Sequence, residues 1–218
     1  MKRLLVLAAV LSSSVAFAAS ADKPHPHRGI VDAYEGAPPT VDLSDTDLAT
    51  LASGEAVRKQ VQYGGSGGRG VAVMDIEAPP KFVWAKIGDY ASYPEWIDNL
   101  NECEIYAKNG RNVYVRFEAS MMGVGAEWFI HHIYNVPAGY VTWTLDYDRK
   151  SDLDDSVGYW RVTELQSDPP RTRVEYSVDV RVASWIPGAL ESALAEQGLV
   201  TATSWVKKQA EADYSKAK

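Results

Sequence analysis

One stretch, Ile186 to Ala210, constrains this chain more than any other. Pro187 suits the first turn of a helix, where its missing N–H costs nothing. No proline follows, and Ala, Leu, Glu, Gln and Lys dominate, so the stretch predicts a helix of about six turns. At about 100° per residue, one face collects Leu190, Ala193, Leu194, Gln197, Val200, Thr201, Ser204 and Trp205. That face is apolar at its start and then turns partly polar. The change suits a helix that roofs a cavity, where a few polar groups meet a ligand or trapped water. It also suits an ordinary amphipathic helix with polar residues at the stripe's edge. How the preceding strands relate to the helix has to decide.

Residues 1–18 read as a secretory signal. Lys2 and Arg3 form its positive end, Leu4 to Leu11 its apolar run, and Ala16-Phe17-Ala18 its small-residue cleavage site. The run is short for a membrane span. The formal charge is −7, and removal of the two signal cations leaves −9. An acidic chain without a basic cluster argues against nucleic acid and anionic membrane surfaces as partners. Cys103 is the one cysteine, so no internal disulfide framework is expected in an oxidising compartment. The mature length suits one domain with a core of its own.

Residues 19–40 are rich in Pro, Gly, Ala and Asp and predict a flexible N-terminal arm. His25 and His27 lie in it two apart and read as part of a solvated tail, with no metal expected. Residues 41–68 form an N-terminal extension. A short helix with Ser44 as N-cap and Asp47 three residues on should end near Gly54, and Ala56 to Gln62 suit an extra strand. Gly64 to Gly70 matches both G-x-G-x-x-G and G-x-S-x-G. Those motifs need a strand before and a helix after. An alternating strand follows instead, so the run reads as a turn.

Ala78-Pro79-Pro80 ends that strand, and short helices are expected over Lys81–Gly88 and Tyr90–Ile97. Strands follow at about Glu102–Lys108, Asn112–Ala119, Ala126–Asn135, Tyr140–Asp146, Ser156–Leu165 and Thr172–Val182, with Asn109-Gly110 a two-residue hairpin signal. Alternation assigns faces. Val113, Val115 and Phe117 share one face; so do Val141, Trp143 and Leu145; Gly158, Trp160 and Val162; and Val174, Tyr176, Val178 and Val180. The pattern predicts an antiparallel sheet covered on one side. In Ala126–Asn135, the set Trp128, Ile130, His132 and Tyr134 is placed inward because it contains no carboxylate.

The stretches APPKFVWAKIGDYASYPEWI (Ala78–Ile97), GYWRVTEL (Gly158–Leu165) and RVEYSVDVRVASWIPGAL (Arg173–Leu190) carry a resemblance. With the order of elements, they are similar to the helix-grip superfamily of START lipid-transfer domains, pollen-allergen-type proteins and polyketide cyclases. Asp89, Tyr93 and Pro94 meet the family's Asp-x-x-x-Tyr-Pro element, Gly158 and Trp160 its Gly-x-Trp strand, and Pro187 its Pro-initiated last helix. The resemblance implies an α+β fold over residues 69–211, a curved antiparallel sheet around a long C-terminal helix, with 212–218 as a tail. It also implies a cavity between sheet and helix for a lipid, sterol or hopanoid, quinone or similar molecule. Its expected lining from the second short helix and the central strands is Tyr93, Trp96, Val115, Phe117, Trp128 and Ile130. Trp143, Leu145, Trp160, Tyr176 and Val178 continue it, and Leu190, Leu194, Gln197 and Thr201 close it from the helix.

Signs of chemistry are thin. His131 and His132 are adjacent, so only one can face inward. Asp146, Asp148, Asp152, Asp154 and Asp155 crowd one connection, but Lys150 and Ser151 stand where a calcium loop needs an acid or amide and a glycine. The connection therefore reads as a solvated acidic turn. The expectation is an exported, periplasmic or secreted carrier, without cofactor or metal, monomeric, exchanging a hydrophobic small molecule or lipid with a membrane or protein donor and acceptor. One alternative is a cyclase or aromatase using His132, Tyr176 or Asp89 in proton transfer. Another is a protein-interaction module built on Thr40–Gly68.

Overall fold

The computed structural model describes residues 19–62, 67–121, 123–182 and 188–218, with side chains described outside 61–67, 121–122, 183–198 and 201–202. Residues 1–18, read above as a secretory signal, therefore lie outside the described residues.

Helix α1 (Asp45–Ala52) starts at a complete capping box: Ser44 Oγ accepts from Asp47 N at 3.2 Å, and the Asp47 carboxylate accepts from Ser44 N at 2.9 Å. Strands β1 (Val57–Gln62) and β2 (Gly67–Ile76) follow, then α2 (Pro80–Ile87), with a proline in its first turn, and the single turn α3 (Tyr93–Trp96). The remaining strands are β3 (Leu100–Asn109), β4 (Asn112–Met121), β5 (Val124–Asn135), β6 (Tyr140–Leu145), β7 (Leu153–Ser167) and β8 (Pro170–Val182), and α4 (Gly188–Lys216) closes the chain. The two-residue turn between β3 and β4 holds Gly110 and Arg111, one residue later than expected, with Gly110 at φ 58°.

All eight strands pair antiparallel in the order β1-β2-β8-β7-β6-β5-β4-β3. This is the α+β helix-grip architecture: a curved sheet with α4 across its inner face, packed most closely on β2 and α2. Met74, Ile76 and Val174 point inward to Val206 and Ala210 of α4, in a core continuous with Val83 and Ile87 of α2.

Three expectations need correction. The tail expected at 212–218 is largely the last turn and a half of α4. Tyr214 packs on Phe82 with ring centroids 5.3 Å apart, and Asp213 binds Lys86 at 2.5 Å, so α2 extends the surface that holds the helix. The flexible arm at 19–40 is a strap across the outer face. Ser20 bridges Lys150, Ile30 N and Val31 N donate to Asp155 Oδ2 at 2.7 and 2.8 Å, and Tyr34 stands edge-on to Tyr159 at 5.3 Å. The strap continues through Pro38, whose carbonyl takes Arg161, to Val41 N, which donates to Glu175 at 2.9 Å. The sheet is thus covered on both sides near β7, β8 and β2, where Leu51, Val57 and Val73 form a second small core. Lastly, the acidic connection is not simply solvated. Asp152 and Asp155 are 1% and 0% exposed, and Asp155 accepts four hydrogen bonds, from Ile30 N, Val31 N, Tyr147 Oη and Ser156 N. Backbone N–H groups without regular-structure partners need such acceptors, which is why carboxylates are buried there.

Candidate ligand-binding face

The inner face of the sheet carries a continuous run of rings. Trp96 and Tyr93 on α3 lie 5.4 and 4.7 Å from Trp205 of α4, centroid to centroid. Trp205 meets Trp160 at 6.3 Å, Trp160 meets Tyr176 at 4.5 Å, and Tyr176 meets Trp143 at 5.7 Å. Trp143 reaches His132 at 5.8 Å, and His132 touches Tyr90 at 5.2 Å and Phe117 at 6.4 Å. Phe117 and Trp128 are stacked across the β4–β5 ladder, 5.5 Å apart. The alternating pattern puts these side chains inward, and the sheet's register brings them into one layer.

The residues expected to line a cavity divide into two groups. Val115, Ile130, Leu145, Tyr93, Trp143 and Trp160 are buried and fill the core. Trp96, Phe117, Trp128, Tyr176 and Val178 share the inner cluster but are only partly buried. An inward tryptophan in a filled core loses nearly all its exposure, so this second group is not packed as closely as the first. The backbone of α4 is described at Leu190, Leu194, Gln197 and Thr201, but their side chains lie outside the described residues.

Sequence reasoning left Tyr90, Tyr134, Trp205 and Cys103 off the lining. All four belong to the inner cluster. Tyr134 shares the alternation of Trp128, and Trp205 shares the helix face of Leu194, so both were legible. Tyr90 sits in the short 3-10 turn Tyr90–Ser92, which has no period to read.

The polar groups of the inner layer are mostly paired. The Tyr90 and Tyr134 hydroxyls share a 2.7 Å hydrogen bond, and Tyr93 Oη donates to the Ile87 carbonyl at 2.7 Å. Burial raises all three phenols, Tyr134 to about 12, so they stay protonated. Burial pushes His132 down to about 3, His131 adds to the drop, and a hydrogen bond with the Val113 backbone opposes it. The His132 ring is therefore neutral near pH 7. His131 points outward, stacked on Tyr114 at 4.3 Å. Asp89, the candidate acid, accepts from Ser92 Oγ at 3.0 Å.

On the outer face, His25, His27 and Asp154 bring possible metal-ligand atoms within 4.8 Å of one another. Hydrogen bonds account for this cluster. Ser151 N and Gly29 N donate to the Nδ1 atoms of His25 and His27 at 3.3 and 3.1 Å. Each Nε2 then carries the proton and faces Asp154, His25 on the carbonyl oxygen at 2.9 Å and His27 on Oδ1 at 3.3 Å. A ring bound to metal through Nε2 would place its proton on Nδ1, against those backbone N–H groups. The pair fastens the strap.

A family model for polyketide cyclase/dehydrase and lipid transport matches residues 76–201. No curated protein sequence matches the chain. Among solved structures, an aromatase/cyclase from Streptomyces aligns at 16% identity and a TM-score of 0.55, over 71% of this chain and 94% of its own. A START superfamily protein from Mycobacterium smegmatis aligns at 20% identity and 0.51, over 75% and 99%. A STAR-related lipid transfer protein from Xanthomonas axonopodis aligns at 12% and 0.51, over 73% and 93%. At such identities these likenesses concern the fold. With its sheet gripping α4 and its family pattern running from the end of β2 into that helix, the chain belongs to the polyketide cyclase/dehydrase and lipid transport family.

Proposed function

We propose that the protein is an exported carrier that holds a hydrophobic, lipid-like molecule between the inner face of the sheet and α4. The observation that carries this reading is the partial burial of Trp96, Phe117, Trp128 and Tyr176 on a face otherwise packed as core. An apolar ligand covering those rings would gain about 25 cal/mol for each Å² removed from water, less the cost of ordering it. Family membership supports a hydrophobic ligand, and the pattern of residues 1–18 supports export. No described helix is long and apolar enough to cross a membrane.

The cyclase-like alternative needs a base near neutral pH. His132 is held neutral at that pH, but its close ring neighbours are aromatic, with no carboxylate among the described groups bonded to it to orient it or take up charge. The carrier reading is therefore the one we adopt.

Purification from an exporting host, followed by native mass spectrometry and organic extraction, tests it. The expected result is a mature chain starting near Ala19 with a stoichiometric apolar passenger, or an empty chain that binds a lipophilic fluorescent probe at one site. An intact Met1 on the exported protein overturns the export reading. Absence of both passenger and probe binding overturns the carrier reading.

A further inference from the structure

Among the described residues, two buried polar atoms of the inner layer have no hydrogen-bond partner: Trp205 Nε1 and His132 Nδ1. Their residues are 4% and 6% exposed. Several of their polar neighbours are paired. The Tyr90–Tyr134 and Tyr93–Ile87 bonds are given above, Trp143 Nε1 donates to Ser156 Oγ at 3.4 Å, and Thr203 Oγ1 donates to the Leu199 carbonyl at 2.8 Å. A buried polar group left unpaired is costly, and native proteins rarely keep one without a use for it. Trp205 lies against Tyr93, Trp96 and Trp160, and His132 against Tyr90, Phe117 and Trp143, with Tyr93 and Tyr90 in ring contact between them at 5.2 Å.

We infer that the passenger is a neutral, mainly apolar molecule carrying hydroxyl or carbonyl oxygen, recognised by Trp205 Nε1 and His132 Nδ1. This rests on the carrier reading and narrows its ligand class. An indole N–H is a donor without acceptor capacity, so its partner is an oxygen lone pair. A neutral imidazole has one N–H and one lone pair, and a hydroxyl answers either. An anionic head is disfavoured. Lys86, the cation at the edge of the layer, has its Nζ 5.1 Å from the Trp96 ring centroid, but that ammonium is bound to Asp213 at 2.5 Å. Among the described residues, the layer offers no unpaired cation to a carboxylate or phosphate, and a buried ion without a partner is strongly penalised. A pure hydrocarbon leaves both nitrogens unpaired.

Naphthalene, naphthol and naphthoate share one apolar body and differ in the head. Their binding at neutral pH, followed by their own fluorescence, is compared for the wild type, Trp205→Phe and His132→Phe. The expected result is that the wild type prefers naphthol to both others by about tenfold or more. At least one variant should lose about tenfold for naphthol and little for naphthalene, the scale of one hydrogen bond. Trp205→Phe also removes packing from the core, so its effect on naphthalene is the reference against which its loss for naphthol is read. Binding of naphthalene with an unchanged naphthol preference in both variants overturns this inference and leaves the carrier reading standing. Tighter binding of naphthoate overturns it as well. Failure of all three probes overturns both readings.

Discussion

Gly158 of β7 lies directly opposite Trp143 of β6, and the missing side chain of the glycine is the space the indole occupies. A Cβ at Gly158 would fall 2.2 Å from Trp143 Cζ2 and 2.4 Å from the Ser177 carbonyl oxygen. The Gly-x-Trp pattern thus has a steric basis: the glycine lets the cross-strand ring lie flat in the inner layer, and Trp160, two residues on, packs beside Tyr176.

Gly158→Ala should therefore destabilise the protein by about 1–3 kcal/mol, the usual cost of overpacking a core. Trp143→Leu in the same chain should recover part of that loss, leaving the share due to the Ser177 carbonyl. Denaturant melts of the two single variants and the double variant measure the coupling. Additive effects would show that the two residues do not compete for one space.

His132 makes stability depend on pH. Its folded pKa, about 3, lies below the ordinary imidazole value of 6.5, so between those limits the unfolded chain binds the extra proton. Stability should be independent of this group above pH 6.5 and fall as pH drops below it, by up to ~1.4 kcal/mol per pH unit. Burial lowers His25 as well, which adds a slope of the same sign. Comparing wild type with His132→Phe isolates the first contribution: between pH 7 and about pH 4.5 the variant should lose about 2–3 kcal/mol less. Parallel pH profiles would show that His132 is accessible to protons in the folded state.

Asp155 is the anchor of the strap. Asp155→Ala leaves the backbone N–H groups of Ile30 and Val31 without their acceptor and frees Tyr147 Oη. A loss of about 3 kcal/mol is expected, more than for a single neutral hydrogen bond, because a charged acceptor is removed. Limited proteolysis should then cut within residues 19–40 before the sheet unfolds. Resistance equal to the wild type would place the strap's stability in its other contacts.

The strands, their inward faces and the long last helix were legible in the sequence because they depend on local periodicity. Alternation fixes which side a residue faces whatever lies beyond, so Trp128, Trp143, Trp160 and Tyr176 were assigned to the inner layer from the chain alone. The capping box at Ser44 and Asp47 was legible for the same reason, its partners being three residues apart. Tertiary structure decided what has no period. The arm at 19–40 looked mobile by composition, and it is ordered by groups more than 120 residues away in the chain, such as Asp155 for Ile30 and Val31. His25 and His27 looked solvated until Asp154 and Ser151 supplied their partners. The end of α4 depended on Phe82 and Lys86 standing where Tyr214 and Asp213 could reach them. The unpaired nitrogens of Trp205 and His132 are of the same kind. A residue's type states what hydrogen bonds it can make, but whether a partner arrives depends on the packing of segments far apart in sequence.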